Sequence, residues 1–384
     1  MNPGDFIESS AGLIVRVPQG FHAFVPTPLP PSIAYDTGLV NLLSKADAAL
    51  SELSGLGHTL PNPHLLIAPY VRREAVLSSR IEGTQASLHD LLIEELDSEP
   101  GLPRRHQDVL EVRNYVLALE YGIARLEKLP LSLRLVREIH EQLMRGVRGD
   151  RATPGEFRRS QNWIGPAGST PATAPYVPPP VAQMRECLDD WERFLHDRET
   201  APNLVHAAIA HAQFEAIHPF LDGNGRVGRL LITLELIERK RLSQPLLYLS
   251  AFIEAYKQDY YELLQRIRTH GDWTRWIRYF LSGIEQVSKD ASAQAKLLLD
   301  LREQLRGKLA GKPRAQQLLD KLFVNPYITV ARAQRLLNVS NPTARALINE
   351  LVAQKILEEL SGRRWAKLYG SRAILEVIES KRDS

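Results

Sequence analysis

His218-Pro219-Phe220-Leu221-Asp222-Gly223-Asn224-Gly225-Arg226-Val227-Gly228-Arg229 is a polar, glycine-rich loop between two strongly apolar stretches, Leu204 to Ile217 and Gly225 to Lys240. A plain turn between helices requires one glycine for a positive φ and a capping residue such as Asn. This loop adds a histidine, an acid and two arginines, which helix packing does not demand. Gly223 and Gly225 let backbone amides approach a ligand closely, and the helix beginning near Gly225 contributes the positive end of its dipole, so the segment reads as an anion site. Arg226 and Arg229, on the first turn of that helix, suit a bidentate grip on phosphate oxygens. Asp222 suits one or two contacts to Mg2+, which keeps several waters and bridges substrate phosphates. His218 takes a proton near neutral pH, as a general base for an incoming hydroxyl does. The chemistry described is nucleotidyl or phosphoryl transfer. No Lys-Ser or Lys-Thr follows the glycines, so this is not a Walker A loop, and no kinase catalytic-loop signature is present.

Outward from the loop, apolar residues recur at helical spacing over Val181 to Asp197, Ala255 to Thr269 and Trp273 to about Gly307. Upstream the same period covers Leu39 to Leu50 and runs from Leu65 through Leu77 to Leu92. Residues 106 to 145 predict two more amphipathic helices, separated at Leu129-Pro130-Leu131-Ser132 by a proline and a Ser N-cap. The fold class is therefore mainly α. Residues 1 to about 35, with Pro26, Pro28, Pro30 and Pro31, predict an extended strap over the surface. Residues 146 to 180 hold seven prolines from Pro154 onward, and predict irregular chain with one short hairpin. After Gly311 and Pro313 come helix, helix, helix and two short alternating stretches around Ile356 to Leu360 and Trp365 to Tyr369. The expected division is a strap and helical region at 1–105, a catalytic domain at 106–285, a linker helix at 286–312 and a last domain at 313–384.

Composition narrows the class. Among 384 residues, 44% are apolar and 24% charged, as in an ordinary globular protein, and no apolar run approaches the roughly 20 residues of a membrane span. The start lacks a basic stretch followed by an apolar core, which predicts a cytoplasmic protein with no membrane partner. The single cysteine, Cys187, excludes an internal disulfide and reads as a small core hydrophobe. A net charge of +3 is too small to imply a polyanion partner, although the chain from Asp300 onward has 16 Lys and Arg against 9 Asp and Glu. A metal site of His206, His211 and His218 is disfavoured, because their spacing does not place two imidazoles on one helical face; His211 is expected to hydrogen-bond inside the domain.

The loop resembles the signature of the Fic (Fic/Doc) family, His-Pro-Phe-x-Asp/Glu-Gly-Asn-Gly-Arg-x-x-Arg, at every fixed position. The lead-in Ala207, His211, Phe214 and Ile217, and the later Leu247-Tyr248-Leu249-Ser250 and Tyr260-Tyr261, also look like that family, so the likeness runs from about residue 20 to 285. The resemblance implies a Fic-type helical domain with a short β-hairpin flap, and a protein adenylyltransferase that moves AMP from ATP to a Ser, Thr or Tyr hydroxyl and releases pyrophosphate. By the same resemblance His218 is the base and Asp222 holds Mg2+. Gly223, Asn224 and Gly225 form the anion hole, Arg226 orders loop and phosphates, Arg229 contacts the γ-phosphate, and Phe220 anchors the loop. Trp163, Ile164 and Gly165 look like the flap that pairs with the target backbone; the plain alternative is an exposed loop with a half-buried Trp163. Ser78-Ser79-Arg80-Ile81-Glu82-Gly83 resembles the family's inhibitory pattern, which implies that Glu82 pairs with Arg229 and holds the enzyme off; on its own Glu82 also reads as a solvent-facing helix charge. One departure is Ala255, where relatives place a polar residue against adenine.

Residues 313–370 predict a winged-helix pattern, with a turn at Asn338-Val339-Ser340-Asn341, Pro342 on the first turn of the third helix, and a hairpin carrying Gly362, Arg363 and Arg364. Thr343, Arg345 and Asn349 are placed to face a major groove. The rival function is thus a DNA-binding transcriptional regulator, although winged helices also serve protein contacts. The candidate partners are an unidentified target protein, the chain itself through auto-modification or as a homodimer, and DNA.

Overall fold

A computed structural model describes residues 1–6, 10–59, 63–96, 107–147, 153–362 and 367–379. The chain opens with a hairpin of β1 (Gly12–Arg16) and β2 (His22–Pro26), then α1 (Thr37–Thr59), α2 (Pro63–Ile81), α3 (Leu88–Glu94), α4 (Gln107–Leu126) and α5 (Leu133–Met144). After irregular chain follow α6 (Val181–His196), α7 (Asn203–Ile217), α8 (Asn224–Glu238), α9 (Ser250–Ala255), α10 (Lys257–His270) and the long α11 (Trp273–Lys308). The last part is α12 (Pro313–Val324), β3 (Tyr327–Thr329), α13 (Val330–Leu337), α14 (Asn341–Ala353), β4 (Glu358–Glu359), β5 (Leu368–Gly370) and α15 (Arg372–Glu379). Among the described residues no helix is long and apolar enough to cross a membrane.

The arrangement is organised around α7, which is buried along its whole length after Asn203. A helix apolar on every face needs neighbours on every side. Its five alanines, Ala207, Ala208, Ala210, Ala212 and Ala216, keep it thin enough for those neighbours to come close. Two indoles fix them: Trp191 on α6 donates Nε1–H to Ala210 O at 2.9 Å, and Trp276 on α11 donates to Ala208 O at 2.8 Å. These carbonyls already accept helical amides, so the indoles use the second lone pair. The two histidines of α7 also turn inward: His211 bridges Gly228 O and the Tyr260 hydroxyl, and His206 lies between Glu235 and Phe194 O. Cys187 is buried on α6.

Several elements differ from the sequence reading. The strap is a two-stranded antiparallel hairpin with Gly12 opposite Pro26 and Arg16 opposite His22, turned through Gly20 at φ +90°. Its prolines end β2 without interrupting it, and Phe24 N–H reaches Val177 O at 2.9 Å, tying the hairpin to the segment after 160. The helical period from Leu65 to Leu92 is cut into α2 and α3 at Gly83, φ +97°, and α3 restarts on a capping box between Ser87 and Asp90. In place of a flap hairpin there is one antiparallel bridge, Ile164 to Tyr176, because closely spaced prolines remove ladder donors. The boundary drawn at 285/286 falls inside α11, which is continuous. Ser132 caps α5 as expected.

At the C-terminal end β3, β5 and β4 form a three-stranded antiparallel sheet in that order, beside α12, α13 and α14. The short β3 and the final α15 were not legible in the sequence. Ser340 caps α14, with Pro342 in its first turn. Arg363 and Arg364 lie outside the described residues. The sheet and α12 dock on α2 and α3: Asn325 Nδ2 donates to Leu92 O at 2.8 Å, His89 Nδ1 lies 2.8 Å from the Tyr327 hydroxyl, and Arg73 donates to Ile378 O.

Replacing Trp191 with Ala removes a fully buried ring and orphans none of the helix's own bonds. The expected loss is about 3–5 kcal/mol in urea unfolding, the cost of a large cavity.

Candidate active site

The helix α7 stops at His218, whose backbone is left-handed at φ 48° and ψ 62° with its N–H still bonded to Phe214 O at 2.9 Å. A non-glycine residue in that region costs roughly 1–2 kcal/mol, so the loop must be held from outside. Arg158, 1% exposed, does most of this: Nε donates to His218 O at 3.0 Å, its own N–H to Pro219 O at 2.9 Å, and Nη2 to Pro179 O. Asn162 Nδ2 donates to His218 O and Phe220 O. Inside the loop, Asn224 accepts from Phe220 N and donates to Phe220 O, both at 2.8 Å, so its side chain closes the turn. The Phe220 ring stacks on His140 with centroids 3.7 Å apart. His140 accepts from Gly155 N through Nδ1, so Nε2 carries the proton and donates to Asp222 O. Burial lowers this imidazole to about 4, which keeps it neutral.

From that turn α8 begins at Gly223, φ +78°, leaving the amides of Asn224, Gly225 and Arg226 without helical acceptors. Glu82 faces them. A Cβ built on Gly225 would lie 2.2 Å from Glu82 Oε1, so a glycine is required for the carboxylate to approach this closely. The same oxygen accepts from Arg229 Nη2 at 2.8 Å, while Arg229 Nε and Nη2 donate to Ser78 Oγ and Ser78 O, each at 2.9 Å. Arg229 is 3% exposed, whereas the Glu82 side chain is 37% exposed. Ser78 lies in the last turn of α2 and Glu82, four residues on, directly follows the helix. Gly83 turns the chain away directly afterwards and leaves the carboxylate at the rim. Burial pushes the Glu82 carboxyl up, but Arg229, then Arg226 and His218, outweigh it and the net shift is downward.

Behind this pair is a buried polar network that sequence reasoning missed. Glu74 accepts from Tyr115 OH at 3.1 Å and from Ser250 Oγ at 2.5 Å, and burial raises its carboxyl. Glu111, also missed, accepts from Thr84 and lies 3.4 Å from Arg226 Nη1. Arg226, 4% exposed, faces Glu111 and Met144, and its Nη2 lies 3.7 Å from Asp222 Oδ1 in the loop. Both guanidinium groups thus border the loop, Arg229 against Glu82 and Arg226 between Asp222 and Glu111 on α4.

Asp222 is half exposed, with Oδ1 accepting from Gly223 N at 2.6 Å. His218 is 19% exposed through its side chain; burial, then Arg268 and Arg158, lower its imidazole to about 3. Glu215, three residues earlier, brings Oε2 to 3.9 Å from His218 Nδ1. No pattern in the sequence marks it, since α7 also carries His206, His211 and Gln213. Trp163 is 41% exposed beside the Ile164–Tyr176 bridge, and Gly165 packs against Ser169 and Pro175. Tyr176 OH donates to Ala216 O at 2.6 Å, joining this segment to α7. Ala255 is exposed at the end of α9; next to it Lys257 donates to Ile81 O, and Tyr261 stands exposed.

Comparison with known proteins places this geometry. The Fic/DOC family N-terminal profile matches residues 40–124, and the Fic/DOC family profile matches 130–236. The protein adenylyltransferase Fic of Drosophila erecta is 28% identical over 179 residues, 46% of this chain and 32% of the relative. That of Drosophila grimshawi is 29% identical over 181 residues, 46% of this chain and 33% of the relative. The match thus spans about a third of the length of these curated relatives. A crystal structure of a Fic family protein from Desulfovibrio desulfuricans G20 superposes with a TM-score of 0.57 at 20% identity, covering 89% of this chain and 98% of that one, which shows a shared fold.

The depressed Glu82 carboxyl fixes a sign. Its contribution to stability is complete above the usual carboxylate range and is lost as pH falls through its lowered folded value. Glu82→Gln is expected to melt below the parent at neutral pH, with the difference closing on acidification; a constant gap by calorimetry between pH 7 and pH 3 would exclude an ionised Glu82–Arg229 pair.

Proposed function

The chain belongs to the Fic/DOC family, and we propose that it is a protein adenylyltransferase, moving AMP from ATP to a Ser, Thr or Tyr hydroxyl of a protein. The observation that carries this reading is a carboxylate seated against the free amides of α8 and the Arg229 guanidinium, where a phosphate would bind. The amides of Asn224 and Gly225, joined by that of Gly223 once Asp222 releases it, hold the α- and β-phosphates. Arg229 receives the γ-phosphate once Glu82 has left. Phe220 and the hydrogen bonds to Arg158 keep the loop in register while the substrate changes.

In the transfer, the target hydroxyl oxygen bonds to the α-phosphorus, the bond to pyrophosphate breaks, and His218 takes the hydroxyl proton. His218 is neutral at working pH, as a base must be. The triphosphate brings negative charge beside it, which raises its basicity from the value set by burial and two arginines. Asp222 is the residue that would hold Mg2+: a single half-exposed carboxylate fits an ion that completes its shell with water and phosphate oxygens. Bound there, the ion would neutralise phosphate charge. Trp163, Ile164 and Gly165 present an exposed edge to the target, tied to the loop through Asn162 and Arg158.

Glu82 is the brake in this reading. Nucleotide that reaches the cradle must displace a charge-assisted hydrogen bond, so ATP sits askew while the pair persists. For the C-terminal part, the reading is a winged-helix module at 313–384, with Arg345 and Asn349 exposed on α14 and available to a groove or a protein partner. A mobility shift that weakens with salt would favour DNA.

Glu82→Gly is expected to raise label transfer from α-labelled ATP by roughly 10- to 100-fold, the equivalent of one hydrogen bond to a charged group. Label from the γ position should not transfer, and His218→Ala should abolish the reaction. Label that persists in His218→Ala would remove the assignment of the base.

A further inference from the structure

Glu215 sits on α7, one turn before His218, with 6% exposure. Its Oε1 has no hydrogen-bond partner, and the buried His218 Nδ1 makes no bond of ordinary geometry, meeting only the Glu215 backbone. The carboxylate is the neighbouring side chain, with Glu215 Oε2 3.9 Å from His218 Nδ1. An unpaired buried polar atom costs about 1–3 kcal/mol, and a carboxylate oxygen left so beside the reacting histidine requires a reason. Glu215 is also wedged in place: a Cβ on Gly228 would meet its Oε1 at 2.6 Å, and Arg268 holds its backbone carbonyl.

We infer that Glu215 is a positioning residue for His218: its carboxylate accepts a hydrogen bond from Nδ1–H when the ring engages a substrate, fixing the tautomer whose Nε2 lone pair meets the target hydroxyl. This rests on the transfer reaction proposed above. Distances of this kind are long in resting sites and shorten on engagement. The proton balance is simple. The hydroxyl proton ends on Nε2, the Nδ1 proton stays where it is, and the ionised carboxylate stabilises the imidazolium that forms, the role an orienting acid plays in hydrolase triads.

The surroundings set the pH at which this works. Arg229 from α8, Arg268, Tyr260 and Tyr261 from α10, Glu82 after α2 and His218 itself all face Glu215. Burial raises its carboxyl to about 7, with Arg229 and Arg268 opposing and Glu82 adding to the rise. Because the ionised form is the working one, the rate rises as pH passes upward through neutrality.

The test uses the full chain carrying Glu82→Gly. Adding Glu215→Gln is expected to lower kcat on the order of 10-fold with the KM for ATP unchanged, and to remove the rate limb, which without Glu82 lies below that of the parent. A parental kcat and pH profile would overturn the inference, as would a loss confined to KM or melting temperature, which marks a packing role. Nitrogen-15 shifts of His218 in the unsubstituted chain give a second readout, independent of activity. A protonated Nδ1 and bare Nε2 are expected, and the opposite tautomer overturns the inference even if no transfer is detected. Absence of transfer by the Glu82→Gly chain, with the expected tautomer present, counts against the transfer reading alone.

Discussion

A helix that starts with three unbonded amides beside a buried guanidinium requires an anion, and in this chain Glu82 supplies it. The positive end of α8 and Arg229 reinforce each other at one point, and neither can be satisfied by the apolar residues that surround them. The rest of the architecture serves that point. The thin, alanine-rich α7 brings the loop to the centre, Arg158 and Asn162 hold its carbonyls, and α2 ends one residue before the acid so that Gly83 can release the chain.

What could be read from the sequence was the loop itself, because its residue types exceed what a turn requires. Glycines at 223 and 225, a histidine, an acid and Arg229 state a ligand's charge and a proton transfer without any tertiary information. Ser78 and Glu82 were legible as a helical pair, but their value depended on Arg229, 147 positions later. Arg158, Asn162, His140, Glu111 and Glu215 were not legible. Each is an ordinary polar residue whose meaning comes from the carbonyl or ring it meets in space, and sequence spacing has no access to those meetings.

The misreadings have the same origin. The first turn places Arg226 at the loop, where it lies 3.7 Å from Asp222, but spacing is silent about the buried acid on another helix that also faces it. The N-terminal prolines suggested an unpaired strap, although the segment between Gly12 and Pro26 alternates well enough to pair with itself. The periodicity from Leu65 to Leu92 was correct on both sides of Gly83 and silent about the break, since a hydrophobic stripe continues across a turn when both helices pack on the same core.

The C-terminal sheet and α12 lie against α2 and α3, with Asn325, Tyr327 and the Ile378 carbonyl as hydrogen-bonded contacts. The segment bearing Glu82 is therefore held from behind by this last part and in front by Arg229. Since both charges of that latch belong to one covalent chain, its closure is a unimolecular equilibrium governed by tether geometry. Dilution leaves the closed fraction unchanged, and with the guanidinium almost wholly shielded from solvent, added electrolyte loosens it only weakly. Its release is thus decided by whatever competes for the same few cubic ångströms.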